Sequence, residues 1–421
     1  MTHNEMNCEK KPSEVHLKPN TTFIPWIGWM RFFALFMVCV CHACDPLSAF
    51  GAASEKTWIE IYGAFIRVCV PLFVMMTGAL LLPVNEPIEG MFKKRIKRVI
   101  FPFLLWNAFY AAMPWCLHAC GISQESIQKV FFPFASPVHT DAMSIVRTFF
   151  LSLIQFNQYA VQLWYIYLLI GLYLFMPIIS AWLRTATLRS KWTFVAIWGV
   201  SLLCWYWPLA LYGAMQTTWG AAFFADYVTR FAGESNFVLA HTASFDAFPI
   251  LGACDWNTYG GLHMFSGFIG YLVLGHILKD VTLSLKKTLA IACPLLVLGY
   301  SVVYFGTHWI WNTPNFTWKM AEYFWWYCSL PVAMMTTAVF LLFKQIRTTP
   351  AWTMAPLQSI GKLGLGIFCM HYIFVTGAYY LLQNVLTSAI LVPGAAVCGL
   401  FISWGLMILL SRVPGLQKWI G

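Results

Sequence analysis

Arg31 and His42 stand eleven residues apart in a nearly uninterrupted apolar run. On an α-helix that interval is three turns plus about 20°, so the two side chains leave one face, roughly 16 Å apart along the axis. A guanidinium holds an anion through a planar fork of donors. An imidazole exchanges protons near neutral pH without large tuning. One face carrying a permanent cation at one end and a proton-exchanging group at the other looks like a path across the membrane. The same pair also suits structure alone, with Arg31 snorkelling to headgroups and His42 bonding a neighbouring helix. Asp45, three residues after His42, could orient the imidazole, or could lie in a loop beyond the helix.

Three further groups invite chemistry. Arg67 lies four residues before Pro71. Proline has no N–H to give the carbonyl of residue 67, so a kink is expected beside a buried guanidinium. That arginine could stabilise an oxyanion or could simply be satisfied by carbonyls. Lys93, Lys94, Arg95, Lys97 and Arg98 form the densest basic cluster, and Arg95 and Arg98 share a helix face. The cluster suits phosphate, and equally an ordinary flank on anionic lipid. His371, in Gly-Ile-Phe-Cys-Met-His, is a lone imidazole on an apolar segment, where packing is the commoner role.

These residues must be positioned by membrane helices. The chain is 60% hydrophobic and only 10% charged. Soluble domains are about one quarter charged, so a soluble enzyme and a disordered chain are both excluded. The net charge of +10 does not indicate nucleic acid, because the basic residues flank apolar spans. At about 20 residues per crossing, the length suits an all-α bundle of about ten transmembrane helices. The expected spans are 23–44, 58–82, 99–118, 160–183, 192–212, 262–278, 288–307, 319–343, 363–384 and 391–411. Residues 1–22 and 412–421 are then short tails around one membrane domain, 23–411, and no cleavable signal peptide is expected. Of the 26 Lys and Arg, 19 fall in the loops on the side of both termini and 5 in the opposite loops. The positive-inside rule therefore puts both termini in the cytoplasm.

Two loops on the other side are long. Within 119–159 the patch from Ser144 to Phe156 is too short to span and suits an interfacial or re-entrant helix. Residues 213–261 mix Trp219, Trp256 and Tyr259 with Asp226, Glu234 and Asp246, a composition suited to carbohydrate or to packing on the membrane surface. The thirteen cysteines have no metal-site spacing, and most lie in apolar runs as small hydrophobes. Cys116 and Cys120 could bridge only in an oxidising compartment, at a helix spacing poor for it.

Taken in order, the segments resemble acyltransferase family 3, a family of membrane O-acyltransferases. The family's Arg, ten residues, His is matched by Arg31 and His42. A Pro-Leu-Phe segment closing the second span is matched by Pro71-Leu-Phe to Gly78, and a basic stretch opening the third by Lys94 to Pro102. A Leu-Trp-aromatic segment is matched by Leu163-Trp164-Tyr165, and a late Gly-Ile-aromatic-x-x-His by Gly366 to His371. The chain departs from the pattern at Gly28, Phe32 and Gln162, where members often carry an acidic residue, a small residue and His. Together the matches span residues 26–375.

The resemblance implies transfer of an acetyl or other acyl group from cytoplasmic acetyl-CoA to a hydroxyl of a lipid-linked sugar or surface polysaccharide. Within the family the chain is most similar to the single-domain type of the bacterial inner membrane, which acetylates polysaccharide units such as the enterobacterial common antigen. No fused outer hydrolase-like domain is expected. Carried onto this sequence, His42 would be general base or transient acyl carrier, with Arg31 assisting near the inner end of the span. Arg95, Arg98 and Lys94 would bind the donor's phosphates. Arg67, Trp164 and His371 would contact substrate or oxyanion. No metal or nucleic acid is implied, membrane lipids are partners, and a homo-oligomer is compatible. The alternative is a non-catalytic transporter or flippase of a lipid-linked sugar, with the arginines on pyrophosphate and His42 coupled to protons.

Overall fold

The computed structural model describes residues 23–50, 55–133, 137–206, 265–312 and 323–421, with 217–219, 222 and 262 besides. Among these residues the chain is helical throughout, without strands. The helices are α1 (Pro25–Ala43), α2 (Asp45–Phe50), α3 (Lys56–Ile66), α4 (Cys69–Leu81), α5 (Ile88–Ala119), α6 (Gln124–Phe131), α7 (Ala142–Leu151), α8 (Trp164–Thr185), α9 (Leu188–Ser201), α10 (Ile269–Asp280), α11 (Leu285–Trp311), α12 (Leu330–Phe343), α13 (Ala351–Leu382), α14 (Ser388–Leu410) and α15 (Gln417–Ile420).

Among the described residues, 8 helical segments are long and apolar enough to cross a membrane. They coincide with all the expected spans except 192–212 and 262–278. Those two correspond to α9, continued by a 3-10 turn over Leu202–Tyr206, and to the short α10. Most of the long 213–261 loop lies outside the described residues, so its carbohydrate reading has no structural counterpart here. The patch from Ser144 to Phe156 begins within α7, too short to span, with Asp141 Oδ1 accepting from the Ser144 amide at 2.8 Å to start the helix. Its Met143 and Phe150 are exposed, as is Ile154 just beyond it. Cys116 and Cys120 are free and exposed.

The outer shell is apolar. Ile178 of α8, Val200 of α9, Val297 and Phe305 of α11 and Phe401 of α14 all point outward. In water such a surface would aggregate; in a bilayer it is the solvated face. The protein is an integral membrane protein. At its centre α1 packs against α3, α4, α12, α13 and α14.

Helices α4 and α10 cross with their backbones touching. A Cβ on Gly78 would lie 1.9 Å from the Leu272 carbonyl oxygen, and one on Gly275 would lie 2.1 Å from that of Met75. Only glycine fits either place, as expected where membrane helices associate by close packing. The second expected span is broken where proline requires it. Helix α3 ends at Ile66, Arg67 and Val68 form the turn, and α4 restarts at Cys69.

Helices α5 and α13 are 32 residues each, about 48 Å long and well beyond a hydrocarbon core of about 30 Å. Part of each therefore extends past the core, and the N-terminal third of each carries the basic residues, Lys93 to Arg98 in α5 and Lys362 in α13. At this same end Lys344 donates to the carbonyls of Lys279 at 2.8 Å and Val281 at 2.6 Å, and to that of Leu278. Its charge is thus committed to the C-terminus of α10.

Candidate active site

The seam between α1 and α13 positions the chemistry. Arg31 Nη1 donates to the Gly361 carbonyl at 3.4 Å, and ten residues further along α13 the His371 ring centre lies 5.2 Å from that of His42. The two helices therefore run parallel in matched register. Arg31 and His42 both face α13, as their spacing requires.

At the Arg31 end lies an open cavity of about 230 Å³. Arg31, Arg95, Arg98 and Lys362 line it, with the hydroxyls of Tyr165 and Tyr173. Leu35, Phe73 and Phe368 form its deeper apolar wall. None of its lining residues is acidic, and the described ion pairs involve none of these four cations. Arg31 and Arg95 are half-buried and Arg98 and Lys362 exposed at the mouth. Cations gathered without a counter-charge favour an anionic guest, and guanidinium forks favour phosphate.

At the other end the groups are neutral or titrating. His42 Nδ1 lies 2.7 Å from Asp45 Oδ2. A carboxylate only accepts, so Nδ1 carries the proton and Nε2 presents its lone pair, the tautomer a general base needs. The geometry exists because α1 stops at Ala43, Cys44 turns, and α2 begins at Asp45, folding the carboxylate back onto the imidazole. Tyr372 stands edge-on to His42, ring centres 5.0 Å apart. His371 is fully buried, and its Nδ1 donates to the Phe368 carbonyl at 2.6 Å. Past Asp45, Pro46 leads into a polar cleft of about 480 Å³ lined by Glu55, Lys129, Tyr380, Asn384 and Ser388.

The sequence model of the acyltransferase 3 domain matches residues 24–411. The chain belongs to this acyltransferase family. No curated protein and no solved structure matches it. The activity is acyl transfer at a membrane.

The acyltransferase separates the expected site residues into groups. Arg31, Arg95 and Arg98 share the cavity, and His42 and His371 share the opposite end. Lys94 does not line the cavity; its exposed Nζ donates to Glu86 at 2.8 Å and holds that carboxyl below the usual carboxylate range. Arg67 faces aromatic rings, its guanidinium carbon 4.8 Å from the Trp325 ring centre and 5.5 Å from that of Tyr327. Trp164 stacks on the same Tyr327 at 5.5 Å. Arg67 and Trp164 thus belong to one cation–aromatic cluster.

The departures from the family pattern have local reasons. A Cβ at Gly28 would meet the tip of the Phe23 ring at 2.6 Å, so a larger residue there requires that ring to move. Gln162 Nε2 donates to the Cys369 carbonyl at 2.8 Å, beside a bond from the Tyr110 hydroxyl at 3.0 Å. Asn157 Nδ2 donates to Asn107 Oδ1 at 3.0 Å in the same region of α5. This buried polar column escapes sequence reading, because single amides in apolar runs carry no periodic signal. Lys362 and Tyr372 were missed as site residues for similar reasons, whereas its i+3 spacing from His42 marks Asp45 in the sequence as able to orient the imidazole.

Proposed function

We propose that the acyltransferase moves an acetyl group from cytoplasmic acetyl-CoA to a hydroxyl of a lipid-linked or surface-polysaccharide sugar at the bacterial inner membrane. The observation that carries this is one seam with an anion-seeking cavity at one end and a base-tautomer histidine at the other. Arg31, Arg95, Arg98 and Lys362 suit the phosphates of a nucleotide thioester. The apolar wall of Leu35, Phe73 and Phe368 suits its uncharged arm. His42 takes the proton of the acceptor hydroxyl, and Asp45 stabilises the imidazolium that results. The polar cleft beyond Pro46 offers hydroxyl, amide and carboxylate groups of the kind that hold a sugar.

The sidedness belongs to this reading. The basic end faces the cytoplasm, and both termini lie there. In a cysteine-free background, Asn384→Cys should be labelled from outside by an impermeant reagent, and Gly90→Cys only after lysis. The reverse pattern overturns the orientation.

The activity is tested with labelled acetyl-CoA and extracted glycolipid, using membranes with and without the protein. Label should enter the glycolipid only when the protein is present. Translocation of the glycolipid with no requirement for acetyl-CoA would instead establish a flippase.

A further inference from the structure

Helix α13 holds a group that base catalysis by His42 leaves unused. The His371 side chain is fully buried, and among the described residues its Nε2 has no hydrogen-bond partner. Its other nitrogen is committed, since a carbonyl only accepts and Nδ1 must donate to Phe368. The free atom is therefore a bare lone pair on a neutral imidazole whose orientation the backbone fixes. An orphaned buried acceptor costs stability. A packed structural histidine would be expected to satisfy both nitrogens.

His371 lies at the His42 end, one turn of α13 beyond Phe368 of the cavity wall. On one side Phe368, a wall of the arginine cavity, has its ring centre 5.7 Å from that of His371. On the other side is His42, at 5.2 Å. The donor cavity and the two histidines thus follow one another along the seam.

We propose that His371 Nε2 is the acyl acceptor that carries the group from the donor cavity to the hydroxyl deprotonated by His42. This rests on the acyl-transfer reading above and divides its labour. In the first half, Nε2 attacks the thioester carbonyl. The new N–C bond forms, the C–S bond breaks, and the thiolate leaves into the arginine cavity, where water protonates it. His371 becomes an acyl-imidazolium whose Nδ1–H stays on the Phe368 carbonyl, and Phe368 swings aside to admit the thioester. In the second half, His42 Nε2 takes the acceptor proton and the alkoxide attacks the acyl carbon. The C–N bond breaks with its electron pair returning to His371. His42 then releases the proton at the polar cleft. Thioester and alcohol become ester and thiol, and donor and acceptor need never share one pocket.

The test is isotope exchange without acceptor: purified protein, acetyl-CoA and labelled free CoA, followed by the label appearing in acetyl-CoA. Acceptor acetylation is measured in parallel, at matched abundance and thermal stability. The wild type should exchange and acetylate. His42→Gln should keep exchange and lose acetylation. His371→Asn should lose both. Its side-chain amide can still donate to Phe368 from the place of Nδ1, which separates loss of the nucleophile from loss of the helix contact. Acetylation by the wild type with no exchange means direct transfer and overturns the proposal while leaving the function intact. Exchange lost in His42→Gln but kept in His371→Asn moves the carrier to His42. Neither exchange nor acetylation in the wild type overturns the function itself. If His371→Asn fails to fold, exchange kept in His42→Gln still excludes His42 as the carrier, and exchange lost there overturns the proposal.

Discussion

The two ends of the α1–α13 seam solve opposite electrostatic problems. At the Arg31 end, permanent cations gather around an open cavity without a carboxylate, so the local field favours an anionic guest. At the His42 end, imidazoles are held by one nitrogen each, Asp45 on the partly buried His42 and the Phe368 carbonyl on the buried His371, which leaves the second nitrogen of each for chemistry. The first arrangement favours binding, because fixed charge attracts a charged guest whatever the stage of reaction. The second favours chemistry, because an imidazole held in one tautomer can accept a proton only when a substrate offers one. Substitutions at the two ends should therefore fail differently, one in KM and the other in kcat.

The largest effect is expected at His42. His42→Gln keeps volume and hydrogen bonding but has no basic nitrogen, so acetylation should fall by at least about 10²-fold, the lower end of what a general base contributes. Rates at matched membrane abundance check this. Near-normal acetylation would make His42 structural and remove the distinction between the ends.

Asp45→Asn should come close behind. An amide nitrogen facing Nδ1 would favour the opposite tautomer and put the proton on Nε2, where the base lone pair is needed. A drop in kcat with KM nearly unchanged is expected. A rise in KM alone would assign Asp45 to acceptor binding.

Arg95→Ala and Arg98→Ala should each raise the KM for acetyl-CoA about tenfold, with kcat largely kept, since one charge-assisted phosphate contact is worth about 1.5–3 kcal/mol. An unchanged KM in both would return the cluster to a lipid-facing flank. Lys94→Ala should change it less than about twofold, because an exposed ion pair is worth about 0–1 kcal/mol and Lys94 lies off the cavity. A Lys94 effect equal to that of Arg98 would break the geometric division within the cluster.

Much of this comparison was legible in the sequence, where helical period was the signal. Arg31 and His42 share a face because eleven residues nearly close three turns. Arg95 and Arg98 reach the cavity together because they are i,i+3, whereas Lys94 leaves at another angle and finds Glu86. Pro71 marked the break at Arg67 because a missing N–H acts locally. What depended on tertiary contact was not legible. His371 looked like a lone packed histidine because its partner comes from a helix far away in sequence. Asp45 was ambiguous because its role depends on the chain turning at Cys44. The stacking that ties Arg67 to Trp164 runs through Tyr327, which no motif singles out.

The most direct measurement of the division between the two ends is equilibrium binding of acetyl-CoA to the purified protein and its variants. His42→Gln should bind with an affinity close to wild type although it no longer acetylates, whereas Arg98→Ala should bind about tenfold more weakly. Binding lost in His42→Gln, or unchanged in Arg98→Ala, would contradict the assignment of donor binding to one end of the seam and chemistry to the other.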